Sequence, residues 1–86
     1  MKLEELIHHS QADELSAVLK ATFTEKELQM VSERWAIFRG FYEGRSQRDI
    51  AQALGCGIAT VTRGAKAYRE YKQLLDNILQ KCTPTA

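Results

Sequence analysis

Proline occurs once and glycine five times in 86 residues, so neither a collagen-like repeat nor Pro/Gly-rich disorder fits this chain. Only two cysteines are present, Cys56 and Cys82, too few for the disulfide framework of a small secreted domain. No second pair exists to build a zinc site, and both are expected as reduced thiols. No apolar run approaches the roughly 18 residues of a membrane span, and the start MKLEELIHHS lacks the apolar stretch of a signal peptide. A cytoplasmic protein with no membrane partner is expected. Nor is there a nucleophile-base-orienter set or a glycine-rich phosphate loop, which argues against an enzyme. No catalytic residue, metal ligand or cofactor is assigned. His8 and His9 are adjacent, so on a helix they diverge by about 100° and do not form the i, i+4 pair that holds a metal.

What is present is an ordinary globular composition, 44% hydrophobic and 27% charged, read as a single domain over residues 1–86. At this length an isolated chain buries little more than about 60% of its unfolded surface, so folding alone is marginal. The net charge of +1 hides an uneven distribution. Residues 45–72 carry six bases, Arg45, Arg48, Arg63, Lys66, Arg69 and Lys72, against Asp49 and Glu70, a net +4. The remainder carries six bases and nine acids, a net −3. A concentrated basic segment is the electrostatic footprint of a nucleic-acid contact.

Hydrophobic periodicity is helical nearly throughout, which predicts an all-α fold. Leu3, Leu6 and Ile7 suggest a short first helix, and Ser10 with Asp13 has the spacing of a capping box opening a second, with Leu15, Val18 and Leu19 on one face. Thr24 and Glu27 repeat that spacing and open a long third helix. Its Leu28, Met30, Val31, Trp35, Ile37, Phe38, Phe41 and Tyr42 wrap around several sides of the cylinder, more than the other short helices can cover. A second copy of the chain is the natural cover, so a homodimer is expected. Gly44 ends this helix; Ser46 opens a fourth through Ile50 and Leu54, and Gly55 closes it. A fifth begins near Ile58. No proline or glycine interrupts residues 65–81, leaving open whether one helix or two occupy that stretch, and the tail after Lys81 is expected to fray.

The stretch QRDIAQALGCGIATVTR, Gln47 to Arg63, has the form of a helix-turn-helix, part of a reading head over about 46–69. Ala51 is small where two helix backbones approach, Ile50, Leu54 and Val61 lock the pair, and Gly55 supplies a positive φ. Cys56 reads as a small apolar residue of the turn, and Trp35, spaced with Val31 and Phe38, as core or dimer interface. The exposed start of the second helix, Ile58, Ala59 and Thr60 followed by Thr62, is small enough to meet thymine methyl groups, and its amides suit phosphate. Arg48 is long enough for a guanine edge or a phosphate. Lys66 and Arg69 continue the basic face toward backbone phosphates. These seven residues are the expected DNA contacts, and double-stranded DNA the expected partner.

The chain resembles the tryptophan repressor family. The residues responsible are Ser46-Gln47-Arg48, Leu54-Gly55 and above all the run Gly57-Ile58-Ala59-Thr60-Val61-Thr62-Arg63-Gly64, within a likeness over about residues 12–69. The resemblance implies an intertwined homodimer that binds a palindromic operator and represses amino-acid biosynthetic genes when L-tryptophan, the corepressor, is bound. It implies an indole ring held between Arg34 and Arg63, with Arg63 also meeting the ligand carboxylate. Thr24 matches a family threonine in the partner's share of the pocket, where carbonyls near Ala21 and Phe23 would receive the ligand amine. Thr60 and Gly64 match pocket-wall positions. Guanidinium planes stack on indole and pair with carboxylates in a planar fork, so the chemistry is consistent. On its helix alone, Arg34 could instead pair with Glu33 or Glu27. Three departures stand out: Ala67 occupies the place of a family serine, the first helix is much shorter than the family's, and the proline-containing or loop-like break that usually follows the family's recognition helix is missing around Tyr68 to Tyr71. A ligand-independent helix-turn-helix regulator and an interaction module that has lost DNA binding are the alternatives.

Overall fold

The computed structural model describes residues 1–82 and is helical, with six helices and no strand among those residues. They are α1 (Leu3–His9), α2 (Leu15–Thr22), α3 (Glu25–Tyr42), α4 (Gln47–Leu54), α5 (Ile58–Glu70) and α6 (Lys72–Cys82). Residues 83–86, most of the tail expected to fray, lie outside the described residues. None of the helices is long and apolar enough to cross a membrane. The chain divides into two compact units, Met1–Val31 and Ser32–Ala86, with the division inside α3.

In the first unit, local hydrogen bonds set the helix ends. Thr24 and Glu27 form the expected capping box: the Glu27 amide donates to Thr24 Oγ1 at 3.1 Å, and the Thr24 amide to Glu27 Oε1 at 2.8 Å. Those bonds hold the Glu27 carboxyl below its ordinary pKa. The Ser10–Asp13 box does not form. Ser10 closes α1 instead, its hydroxyl donating to the Leu6 carbonyl at 2.7 Å, and α2 begins only at Leu15. The reaching-back glutamate is Glu14, whose Oε1 accepts the Gln11 amide at 2.9 Å. Serine competes for local carbonyls as readily as it caps, and here the preceding helix won. No residue of α1 or α2 is buried.

The second unit holds the core, in two clusters. Ile37, Ile50 and Val61 bring α3, α4 and α5 together, with Phe41, Ala51 and Cys56 packed against them. Phe38, Tyr68, Leu75 and Leu79 join α3, α5 and α6, flanked by Trp35, Phe41, Tyr42 and Ala67. Trp35 packs edge-on to Phe38 with ring centroids 5.3 Å apart, as a core aromatic does. Of the third helix's expected apolar set only Ile37 and Phe38 are buried, while Met30 is 63% exposed and Val31 45%. Leu54 remains 38% exposed, so Ile50 and Val61, rather than Leu54, lock the helix pair.

Glycines permit the tight joins. Gly44, at φ +82°, ends α3 in a Schellman motif: Arg45 N–H reaches the Gly40 carbonyl at 2.9 Å and Gly44 N–H the Phe41 carbonyl at 3.0 Å. Within α3, a Cβ on Gly40 would lie 2.6 Å from Ile50 Cγ1, so only glycine admits α4 this closely. The open question of residues 58–81 resolves as two helices. The break expected to be missing around Tyr68 to Tyr71 is present: Tyr71, at φ −116° and ψ 25°, separates α5 from α6 without proline or glycine. A clasp spans that break: Tyr68 donates to Asp76, Lys72 Nζ lies 2.7 Å from Asp76 Oδ2, and the same ammonium stands 5.7 Å from the Tyr68 ring centroid. Burial first, then the Asp76 carboxylate, pushes the Tyr68 phenol up to about 12.

Candidate nucleic-acid interface and ligand pocket

Ser46 caps α4, its Oγ accepting the Asp49 amide at 3.1 Å, and Gly55 at φ +66° closes the helix and turns the chain into α5. The Cys56 amide reaches back to the Ala51 carbonyl at 3.2 Å, leaving Cys56 half-buried in the turn as a free thiol. Gly57 is the residue before α5 and no side chain caps the helix; the Thr60 amide reaches the Gly57 carbonyl at 3.1 Å, which leaves the Ile58 and Ala59 amides open to an anion.

The periodicity of α5 sorts its residues. Val61, Gly64, Ala65 and Tyr68 are buried at i, i+3, i+4 and i+7. Ala59, Thr62, Lys66 and Arg69 fall on the opposite stripe and are exposed, with Arg63 beside them. Ile58 is 54% exposed at the helix start and Thr60 is half-buried. Arg48, at the start of α4, is exposed and lines a cleft with Gln47, Ala51, Gln52, Cys56 and Ile58. The ion pairs of the described residues are Arg45–Glu43 and Lys72–Asp76; Arg48, Arg63, Lys66 and Arg69 join neither. Four cations without acidic partners thus share the helix-turn-helix surface, chemistry that suits phosphates.

The residues expected around a ligand are distributed as follows. Arg34 is exposed and in no ion pair with Glu33; it stands one turn before Ile37, the residue that meets α5. Arg63 is exposed, with Nη2 3.5 Å from Thr60 Oγ1, the outer limit of a hydrogen bond. Gly64 is buried, and a Cβ there would lie 2.7 Å from Ile37 Cγ2. Its missing side chain is therefore already explained by the approach of α3 to α5. Ala67, half-buried, packs against the Phe38 cluster. Ala21, Phe23 and Thr24 belong to the first unit, where Ala21 and Thr24 are exposed and Phe23 is the half-buried C-cap of α2.

Two residues escaped the reading of the sequence. Gly40 carries the α3–α4 crossing, and a glycine inside an otherwise helical pattern was the available signal. Gln47 is the other: its side-chain oxygen lies 2.8 Å from the Thr62 hydroxyl, tying the start of α4 to α5. No local spacing announces a contact 15 residues apart.

An all-helical protein with a cationic helix-turn-helix is the class this geometry defines. The model of the Trp repressor protein family matches residues 1–83, and the chain belongs to that family. It is similar to the Trp operon repressor homologs of Aliivibrio fischeri strains MJ11 and ATCC 700601 / ES114, 37% identical to each over 71 residues. The match covers 77% of this chain and 66% of each relative, just under two thirds of the relatives' length. No solved structure matches the chain significantly.

Proposed function

We propose that the chain is a cytoplasmic DNA-binding repressor of tryptophan biosynthesis genes that acts as a homodimer, with L-tryptophan as its corepressor. The observation that carries this reading is the exposed stripe Ala59, Thr62, Lys66 and Arg69 with Arg48 beside it, cationic and free of acidic partners on a helix-turn-helix. Small side chains at the start of α5 can approach base edges, while Lys66 and Arg69 reach phosphates. The dimer is supported by the first unit, which buries no residue while Leu3 and Ile7 are 43% and 40% exposed.

The ligand pocket rests on Arg34 and Arg63, each exposed and without a carboxylate partner, as guanidiniums that stack on an indole must be. Arg63 would pair with the ligand carboxylate, Thr60 and Gly64 would wall the site, and Ala21, Phe23 and Thr24 of the second copy would receive the amine. Tryptophan then acts by population shift. It favours the arrangement in which two recognition helices stand one DNA turn apart, about 34–36 Å, to the extent that it binds that arrangement better. Titration of a labelled palindromic duplex with and without L-tryptophan tests this. Affinity should rise with the ligand, and Arg63→Ala should abolish the rise; equal affinity in both conditions would remove the corepressor.

A ligand-independent regulator on the same scaffold is the second reading. Ala67 favours it, because a methyl packed against the aromatic cluster offers no acceptor to a ligand amine.

A further inference from the structure

Thr62 lies on the exposed stripe of α5 and was expected to touch DNA directly, yet its hydroxyl is already engaged. Oγ1 stands 2.8 Å from Gln47 Oε1 and 3.0 Å from the Ile58 carbonyl, so its single proton has two internal acceptors. Gln47 is half-buried, the first residue of α4, and lines the cleft shared with Arg48, Cys56 and Ile58. With Oε1 held by Thr62, the Gln47 amide cannot rotate freely. Its two Nε2 hydrogens lie on the other side of the same rigid plane, and no acceptor among the described residues takes them.

From this geometry we infer that Gln47 is a DNA-backbone donor of the reading head and that Thr62 is a positioning residue acting through it. The inference rests on the DNA-binding reading above. A neutral amide aimed at a phosphate oxygen forms a charge-assisted hydrogen bond, and holding it in place before binding removes the entropy of ordering a long side chain. The lock also fixes α4 against α5, so the cations at the start of α4 and along α5 keep one mutual register. Thr62 then presents only its methyl group outward.

The test compares Thr62→Val, which keeps the shape and removes the hydroxyl, with Thr62→Ser, Gln47→Met and the double variant Gln47→Met/Thr62→Val. The probes are a fluorescein-labelled duplex selected from a randomised pool by the wild-type chain and a scrambled duplex of the same composition, both with L-tryptophan present. Thr62→Val and Gln47→Met should each weaken binding about tenfold, and to a similar degree on both duplexes. The double variant should be no weaker than either single one, and Thr62→Ser, which keeps the hydroxyl, should lose clearly less than Thr62→Val. Because the donor is uncharged, the dependence of affinity on salt should keep its slope, whereas Lys66→Ala should lower it by about one. A Thr62→Val variant that binds like wild type, an additive double variant, or a Thr62→Ser loss as large as that of Thr62→Val would overturn the positioning role. Wild-type protein that binds neither duplex removes the DNA-binding reading instead, and the lock is then judged on thermal melts. There the melting-temperature losses of the two single variants must be non-additive, and additive losses overturn the lock itself.

Discussion

The two units of this chain are both helical, but they are held together differently. Every buried hydrophobic side chain of the described residues, from Ile37 to Leu79, belongs to the second unit, and the first has none. In the first unit the specific bonds lie three or four residues apart: Thr24 with Glu27, Gln11 with Glu14, Ser10 with Leu6, Thr22 with Val18. Among the described residues the longer-range side-chain bonds, Thr62 with Gln47 and Tyr68 with Asp76, and the stacking of Phe38 and Phe41 on Tyr68 belong to the second, while the one ring contact of the first joins the adjacent His8 and His9. Short helices of seven and eight residues are marginal in water without tertiary packing, so α1 and α2 depend on a cover, whereas the second unit carries its own core.

The largest effect that can sharpen this contrast is at Ile37, which is wholly buried. Ile37→Ala should cost about 2–5 kcal/mol, read as a lowered denaturation midpoint, and the loss should persist on dilution. Gly64→Ala comes next. Its new methyl would press on Ile37 Cγ2 and cost about 1–3 kcal/mol; combined with Ile37→Leu, which lacks that Cβ branch, the melting temperature should partly recover, and an additive result would refute the crowding.

In the first unit the effects should be smaller and of another kind. Thr24→Ala removes the cap of α3 at a cost of about 1 kcal/mol. The Glu27 carboxyl, held below its ordinary value by those same bonds, stabilises the fold above that value, 4.5, and loses its contribution as pH falls through the lowered folded-state value. Acid titration of the melting temperature should therefore be steeper for wild type than for Thr24→Ala. The smallest effect at high concentration is expected for Leu6→Ser, which should act mainly on dilution by weakening the proposed dimer. Sedimentation showing an unchanged assembly would break the view that the first unit is covered by a second copy.

Titration separates the units from the alkaline side as well. Tyr68 keeps its proton to about pH 12 in the folded state against 10.0 for an ordinary phenol, so stability should be intact below 10 and fall between 10 and 12. A Tyr68→Phe variant should lose that alkaline slope in fluorescence-monitored unfolding, and retention of the slope would point to another group.

How much of this was legible beforehand follows the same division. The capping box at Thr24, the glycine stops at Gly44 and Gly55 and the uneven charge are local or compositional, and they read correctly from the chain alone. Spacing failed at Ser10, because the same serine had a competing acceptor in Leu6. The proposed ligand residues came only from the resemblance, since an exposed arginine such as Arg34 has no periodic signature of its own.

By itself the sequence determined the helical class, the helix-turn-helix with its turn at Gly55, and a basic head on an acidic remainder, since these depend on bonds within one turn and on charge counts. Tertiary structure alone decided that Gly40 and Gly64 serve helix crossings, that Tyr71 breaks α5 from α6, and that Thr62 is held by Gln47. Each of those depends on which helices meet and at what separation. That is a property of the packed core around Ile37 and Phe38, and no window of neighbouring residues contains it.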